Sequence, residues 1–171
     1  MLIGIIADTH DNAFNLFKAI KIFNEKEVSL VIHCGDWVSP FMPHFCEGLK
    51  AKIISVFGNN EGDVYRFLAR QEKKKWNIEF NDVCAEIEID GKKIIAYHGG
   101  SKPLLRALID SQKYDVVFSG HTHAPVVETI GKTLHVNPGS TCGLCESKVV
   151  DEITVAIFDT KSNKAEIVSL G

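Results

Sequence analysis

The stretch "AKIISVFGNNEGD", Ala51 to Asp63, changes character half-way along. Its first half is an apolar, β-branched run of the kind that makes a buried strand. Its second half sets two side-chain amides, Asn59 and Asn60, where the chain leaves the sheet. Turn chemistry alone accounts for "GNNEG", because Gly and Asn tolerate positive φ and Asn can hydrogen-bond its own turn. A function for those amides has to come from the rest of the chain.

Outward from this stretch the same pattern repeats. Strands are expected over Leu2 to Ala7, Ser29 to Cys34, Lys52 to Phe57, Val83 to Ile89, Lys93 to His98 and Asp115 to Ser119. Helices are expected over Asn12 to Asn24, Pro40 to Leu49, Asp63 to Lys75 and Ser101 to Ser111. In the first of these Phe14, Phe17, Ile20 and Phe23 stand at helical spacing and read as core. Further on, Val126 to Ile130 and Thr133 to Val136 flank a "GK" turn, and Ile153 to Asp159 and Lys164 to Ser169 flank "TKSN", which predicts a pair of hairpins. Strands alternating with helices, then hairpins, predict an α/β layered domain with two sheets packed face to face and helices outside.

The chain has 171 residues, within the single-domain range, so one domain over 1–171 is expected. Hydrophobic residues at 45% and charged residues at 24% are the balance of a soluble globular protein. No window approaches the ~18 apolar residues of a spanning helix, and "MLIGIIADTHDN" lacks the basic start of a signal peptide. A cytoplasmic protein without a membrane partner is expected. The net charge of −3 leaves no footprint for a stable nucleic-acid complex, and "RQEKKKW", Arg70 to Trp76, reads as a solvated helix end. Five cysteines, an odd number, argue against a disulfide framework. Cys34, Cys46 and Cys84 read as small core residues, and Cys142 with Cys145 forms a C-x-x-C that is half of a zinc site at most.

Chemistry gathers where the strands end. "ADTHD" brings Asp8 and His10, "HCGDW" brings Asp36, "FGNNEGD" brings Asn59, "YHGG" brings His98, and "GHTHAP" brings His121 and His123. These are seven potential metal ligands at the carboxyl ends of five strands, the edge where α/β sheets bind ligands. In an extended segment residues two apart point to one side, so His121 and His123 are expected to present their rings together, as are Asp8 and His10. Carboxylates, imidazoles and an amide oxygen without thiolate suit a borderline divalent ion: manganese or nickel first, with iron, cobalt or zinc as alternatives. Seven ligands exceed the needs of one tetrahedral ion, and two ions sharing a carboxylate would use them all. Such a pair binds a phosphoryl oxygen on both ions, activates a bridging water and neutralises the charge of an in-line displacement. His33, His44 and His135 are read as structural, and Lys102 and Arg106 as solvated residues near enough to help bind an anion.

As an ordered set, the Asp8, His10, "GD" with Asp36, "GN" with Asn59, "HG" with His98 and "GHTH" with His121 and His123 resemble the signature of the calcineurin-like metallophosphoesterases, specifically the small prokaryotic phosphodiesterases of the YfcE type. The likeness runs from Met1 to about Ser140, including "NPGS" at Asn137 to Ser140. It implies a four-layer α/β/β/α sandwich and a small phosphodiester substrate. It also implies one ion held by Asp8, His10, Asp36 and His123 and a second by Asp36, Asn59, His98 and His121, with catalysis resting on Asp36, Asn59, Asn60 and His98. Attack by a hydroxide bridging the two ions would cleave the ester; a phosphomonoesterase, or a non-catalytic scaffold of the same fold, is the alternative. Asn60 departs from the resemblance, since the family usually carries a His there that binds phosphate or protonates the leaving group, and an amide donates no proton at neutral pH. The tail hairpins leave an edge on which copies of the chain can pair.

Overall fold

A computed structural model describes residues 1–145, 148–149 and 152–171. In chain order the elements are β1 (Leu2–Ile6), α1 (Ala13–Glu25), β2 (Leu30–His33), a 3₁₀ turn (Met42–Cys46), β3 (Lys52–Val56), α2 (Val64–Lys74) and β4 (Ile78–Asn81). There follow β5 (Cys84–Ile89), β6 (Lys92–Tyr97), α3 (Lys102–Asp110), β7 (Val116–Phe118), β8 (Pro125–Ile130) and β9 (Thr133–Pro138). The rest are β10 (Leu144–Cys145), β11 (Lys148–Val149), β12 (Thr154–Asp159) and β13 (Lys164–Ser169).

Two mixed sheets carry the fold. The first has the order β13-β12-β1-β2-β3-β4, parallel from β1 to β4 and antiparallel at β12 and β13. The second has the order β5-β6-β7-β9-β8, with β6, β7 and β9 parallel. Alternate residues of β1 and β2 (Ile3, Ile5, Leu30, Ile32) face the second sheet's Ile94, Val116, Phe118, Leu134 and Val136 in one buried cluster. The opposite face of this sheet (Val31 of β2, Ile53 of β3, Ile78 of β4) meets Leu16, Ala19, Ile20 and Phe23 of α1 and Phe67 of α2. On the far side Ile95 and Val117 pack against Ile109 of α3. The layers are therefore helix, sheet, sheet, helix, the sandwich expected from the sequence.

Several local expectations change. Phe14 and Phe17 are not core: they are 70% and 52% exposed, while Asn15, Leu16, Ala19, Ile20 and Phe23 are buried. A residue advances about 100° around a helix, so nine positions place Phe14 opposite Phe23. The helix expected over Pro40 to Leu49 shrinks to the 3₁₀ turn, where Pro43 sits in the first positions and lacks an N–H to continue the ladder. Strand β4 was not expected at all. Cys84 is exposed rather than core, because it opens β5 pointing away from the face on which Ala85 is buried. The two tail hairpins form but join different sheets, β8–β9 the second and β12–β13 the first.

Candidate metal centre

Parallel strands β1, β2 and β3 of one sheet and β6 and β7 of the other deliver their carboxyl ends to one edge. The chain leaves them in sharp turns. Asp8, His10, Asp36, His121 and His123 have φ of 52°, 41°, 62°, 69° and 58°, in the left-handed region that is uncommon outside glycine but that Asp and His adopt more readily than other side chains. These segments are thus not extended, which corrects the expectation that His121 and His123 point together. His121 turns its ring to His98, with centroids 5.1 Å apart, and His123 turns to His10, also at 5.1 Å. Glycine makes the close approaches tolerable. A Cβ on Gly58 would overlap Asp36 Oδ1, and one on Gly120 would lie 2.8 Å from Asp8 Oδ2.

Asp36, 1% exposed, sits between two groups of donors. Its Oδ2 is 3.4 Å from His10 Nε2 and its Oδ1 is 3.5 Å from His98 Nε2. Asp8 is fully buried; its Oδ2 accepts the backbone N–H of His121 at 2.9 Å, while Oδ1 faces His10 and His123 Nε2 at 3.8 and 3.4 Å. Burial pushes the Asp8 carboxyl up, but the His10 and His123 imidazoles more than offset this and hold it at about 2. Asp8 Oδ1 and His10 Nε2 are buried with no hydrogen-bond partner. Such orphaned atoms are costly unless something charged sits among them.

The second group has a similar signature. His98 Nδ1–H donates to the Cys34 carbonyl at 2.8 Å, which in the neutral ring leaves the Nε2 lone pair facing Asn59 Oδ1 at 2.9 Å. Two acceptors that close are repulsive without a cation between them. Asp8, His10 and His123, and likewise Asp8, Asp36 and His98, bring their ligand atoms within 4.8 Å of one another. The residues present therefore fit divalent cations: hard oxygens and imidazoles, with second partners fixing the rings.

Asn60 is in the site but turned to the carboxylate. Its N–H and Nδ2 donate to Asp36 Oδ1 and Oδ2 at 2.9 and 2.7 Å. Around it stand Glu61, which sequence reading did not single out, and the "NPGS" segment, which entered there only as part of the family resemblance. Glu61 receives Trp37 N–H at 3.1 Å and Gly58 N–H at 2.9 Å, stitching the loop after β2 to the loop after β3; burial pushes its carboxyl up against the pull of those donors. Asn137 Nδ2 holds the Gly120 carbonyl at 2.7 Å, and Ser140 Oγ donates to the Asp8 carbonyl at 2.9 Å, so "NPGS" clamps the ligand loops from behind. The sequence signal for Glu61 was its closeness to a glycine-marked turn, and for Asn137 and Ser140 it was the "NPGS" of the resemblance, which did not give their partners.

His33, fully buried, is engaged at both nitrogens: it accepts Gly35 N–H at 3.1 Å and contacts Thr9 Oγ1 at 2.7 Å, and its ring stacks on Trp37 at 3.7 Å. His135 lies between Ser119 and Glu128, and His44 faces Glu47 and Trp76. Arg106 pairs with Asp110 at 2.7 Å on the exposed face of α3, and Lys102 is exposed in its first turn. The side chain of Cys145 lies outside the described residues, and with it the C-x-x-C reading.

A family model described as the calcineurin-like phosphoesterase superfamily domain matches residues 1–163. The chain belongs to that superfamily. Among relatives of this phosphoesterase, "Phosphodiesterase MJ0936" of Methanocaldococcus jannaschii is 41% identical over 169 residues, covering 96% of each chain. A solved structure of a novel archaeal phosphodiesterase superposes with a TM-score of 0.89 at 38% identity over 99% of both chains. YfcE, a phosphoesterase from E. coli, shares the fold with a TM-score of 0.70 at 16% identity over 100% of both chains. The chain is thus a phosphoester hydrolase of a family that binds divalent metal, and Asp8, His10 and His123, with Asp8, Asp36 and His98, are candidate ligand groups at the sheet edge.

Proposed function

We propose that this enzyme is a dinuclear metal-dependent phosphodiesterase acting in the cytoplasm on small diesters. One cation would be held by Asp8, His10, Asp36 and His123 and the other by Asp36, Asn59, His98 and His121. The observation that carries this reading is Asp36, whose two oxygens each face a different imidazole at 3.4 and 3.5 Å. Two cations in such a site make a nucleophile from water near neutral pH and neutralise charge on the phosphoryl oxygens, and the mixed oxygen and imidazole donors suit manganese or nickel.

The chain's own residues set the rest. The Asn60 amide and backbone N–H hold Asp36 in place, and the second hydrogen of Nδ2 is a donor for a phosphoryl oxygen. Asn60 cannot protonate a leaving group, and general acid catalysis is typically worth ~10²–10⁴-fold in rate. Aryl esters, whose leaving groups depart without a proton, are therefore favoured. A cleft of about 210 Å³ walled by Phe57, Val83 and Tyr97 opens beside Asn59 and His98 and is suited to an apolar leaving group.

The test is to strip the protein of metal, restore manganese or nickel, and compare bis-p-nitrophenyl phosphate with p-nitrophenyl phosphate. Diester hydrolysis that needs the metal and disappears in Asp36→Ala supports the proposal. Faster monoester hydrolysis replaces it with a phosphomonoesterase, and turnover no better than free metal in protein that binds two ions ends the catalytic reading.

A further inference from the structure

Of the histidines assigned to the centre, His123 has an unusual neighbour. A histidine that gives Nε2 to a cation carries its proton on Nδ1, and that N–H needs an acceptor to fix the tautomer and the ring. His98 has the Cys34 carbonyl at 2.8 Å. On His123 the atom beside Nδ1 is the sulfur of Cys142, 3.7 Å away, while Nε2 is turned to Asp8 Oδ1 at 3.4 Å.

The position of that sulfur is built rather than incidental. Cys142 is held through its backbone on both sides: its N–H donates to Ser140 Oγ at 3.1 Å and its carbonyl accepts from Asn12 Nδ2 at 3.0 Å. Ser140 Oγ in turn donates to the Asp8 carbonyl at 2.9 Å, and the next residue, Thr141, donates its N–H to the Ala7 carbonyl at 3.3 Å. The segment that carries Cys142 is thus sewn to the loop that carries Asp8. The cage it borders contains the buried, unpartnered Asp8 Oδ1 and His10 Nε2, which mark where a cation sits independently of the cysteine.

We propose that Cys142 is a positioning residue for one of the two cations: its sulfur accepts Nδ1–H of His123 and so presents Nε2, unprotonated, beside Asp8. This rests on the metal assignment proposed above. Because His123 belongs to the group with Asp8 and His10, the cation among those three is the one whose affinity answers to residue 142.

The experiment measures cobalt(II) binding by equilibrium dialysis and by the visible spectrum, on metal-stripped wild type, Cys142→Ala, Cys142→Ser and Asp36→Ala, with circular dichroism to check the fold of each. The expected result is two sites in wild type, one of which weakens about 10–100-fold in Cys142→Ala, the size of effect usual for outer partners of metal-bound histidines. The other site keeps its affinity, the cobalt bands of the weakened site shift, and Cys142→Ser, which retains an acceptor, recovers part of the loss. Two wild-type affinities and an unchanged spectrum in Cys142→Ala overturn the role of Cys142 and leave the metal centre standing. Equal weakening of both sites overturns it too, as a general disturbance of the loop. Wild type that binds no cobalt overturns the metal assignment and this inference together.

Discussion

At the scale of single residues, the site depends on atoms that are missing as much as on those present. Gly58 has no Cβ where Asp36 Oδ1 lies, and a Cβ there would also come 2.8 Å from the Asp36 backbone nitrogen. Gly58→Ala is expected to displace the Asp36 carboxylate while leaving both sheets intact. A misplacement of about 1 Å costs on the order of 10²-fold in rate, so activity should fall about that far with an unchanged circular dichroism spectrum; activity within a factor of two of wild type would show that Asp36 has slack. Glu61 makes the opposite case. Glu61→Ala strands the N–H groups of Trp37 and Gly58, at about 1–3 kcal/mol for each buried donor, whereas Glu61→Gln keeps one acceptor oxygen and loses less. Urea unfolding of the two variants separates them, and equal stability would remove Glu61 from the loop's support. Asp8, Asp36 and Asn59 were legible because each ends an apolar run. The bonds of Glu61 and Asn137 were not, although Asn137 stood in the "NPGS" of the resemblance, since their partners Trp37 and Gly120 are 24 and 17 residues away along the chain and nothing local in the sequence announces such a bond.

Elements show where periodicity suffices and where it misleads. The apolar runs of β1, β2 and β3 are unambiguous because both faces of a central parallel strand are buried. In α1, residues three apart were read as one stripe, but that row winds around the helix, and only its far end reaches the sheet. Phe23, 1% exposed and packed so closely that a Cβ on Gly4 would lie 2.8 Å from its ring, is the anchor. Phe23→Ala should cost about 3–5 kcal/mol, and Phe14→Ala should stay within about 0.5 kcal/mol; comparable losses in urea would contradict the assigned helix face. Strand β2 adds a pH dependence through His33. Burial lowers its folded pKa from the model-compound 6.5 to about 3. The unfolded chain therefore binds the extra proton between those values, and stability is full above pH 6.5 and declines as pH falls toward 3, by up to about 1.4 kcal/mol per pH unit. In chelator, the difference between wild type and His33→Gln should show this slope between pH 6.5 and 4. Asp8, held at about 2, adds its own loss only below that window. A flat difference would mean that His33 titrates normally in the folded protein.

At the scale of the whole molecule, the two main sheets meet through a buried apolar cluster, with polar bonds such as His98 to the Cys34 carbonyl at one edge, and this joint was only half legible. Two layers followed from strands alternating with helices, but the sheet each tail hairpin would join did not: β12 pairs with β1, whose residues lie more than a hundred positions earlier, and hairpin pattern carries no information about a distant partner. The same topology would give the proposed metal centre a structural duty. Asp8, His10, Asp36 and Asn59 come from loops of the first sheet, and His98, His121 and His123 from loops of the second. A cation bound among them as proposed would tie the sheets together at one edge and relieve the burial of Asp8 and Asp36 close to each other. Folding and metal binding are then linked, because the unfolded chain cannot assemble ligands from such separated positions. At free metal about 100 times the dissociation constant, one site adds about 2.7 kcal/mol, and at roughly 2–4 °C per kcal/mol for a chain of this size the melting temperature should rise by about 5–10 °C over the chelated protein. The rise should grow with manganese or nickel concentration and largely vanish in Asp36→Ala, the residue that faces both groups of ligands. A melting temperature that stays put while dialysis shows the metals bound would mean that they bind folded and unfolded chains alike, which a site assembled from two sheets cannot do.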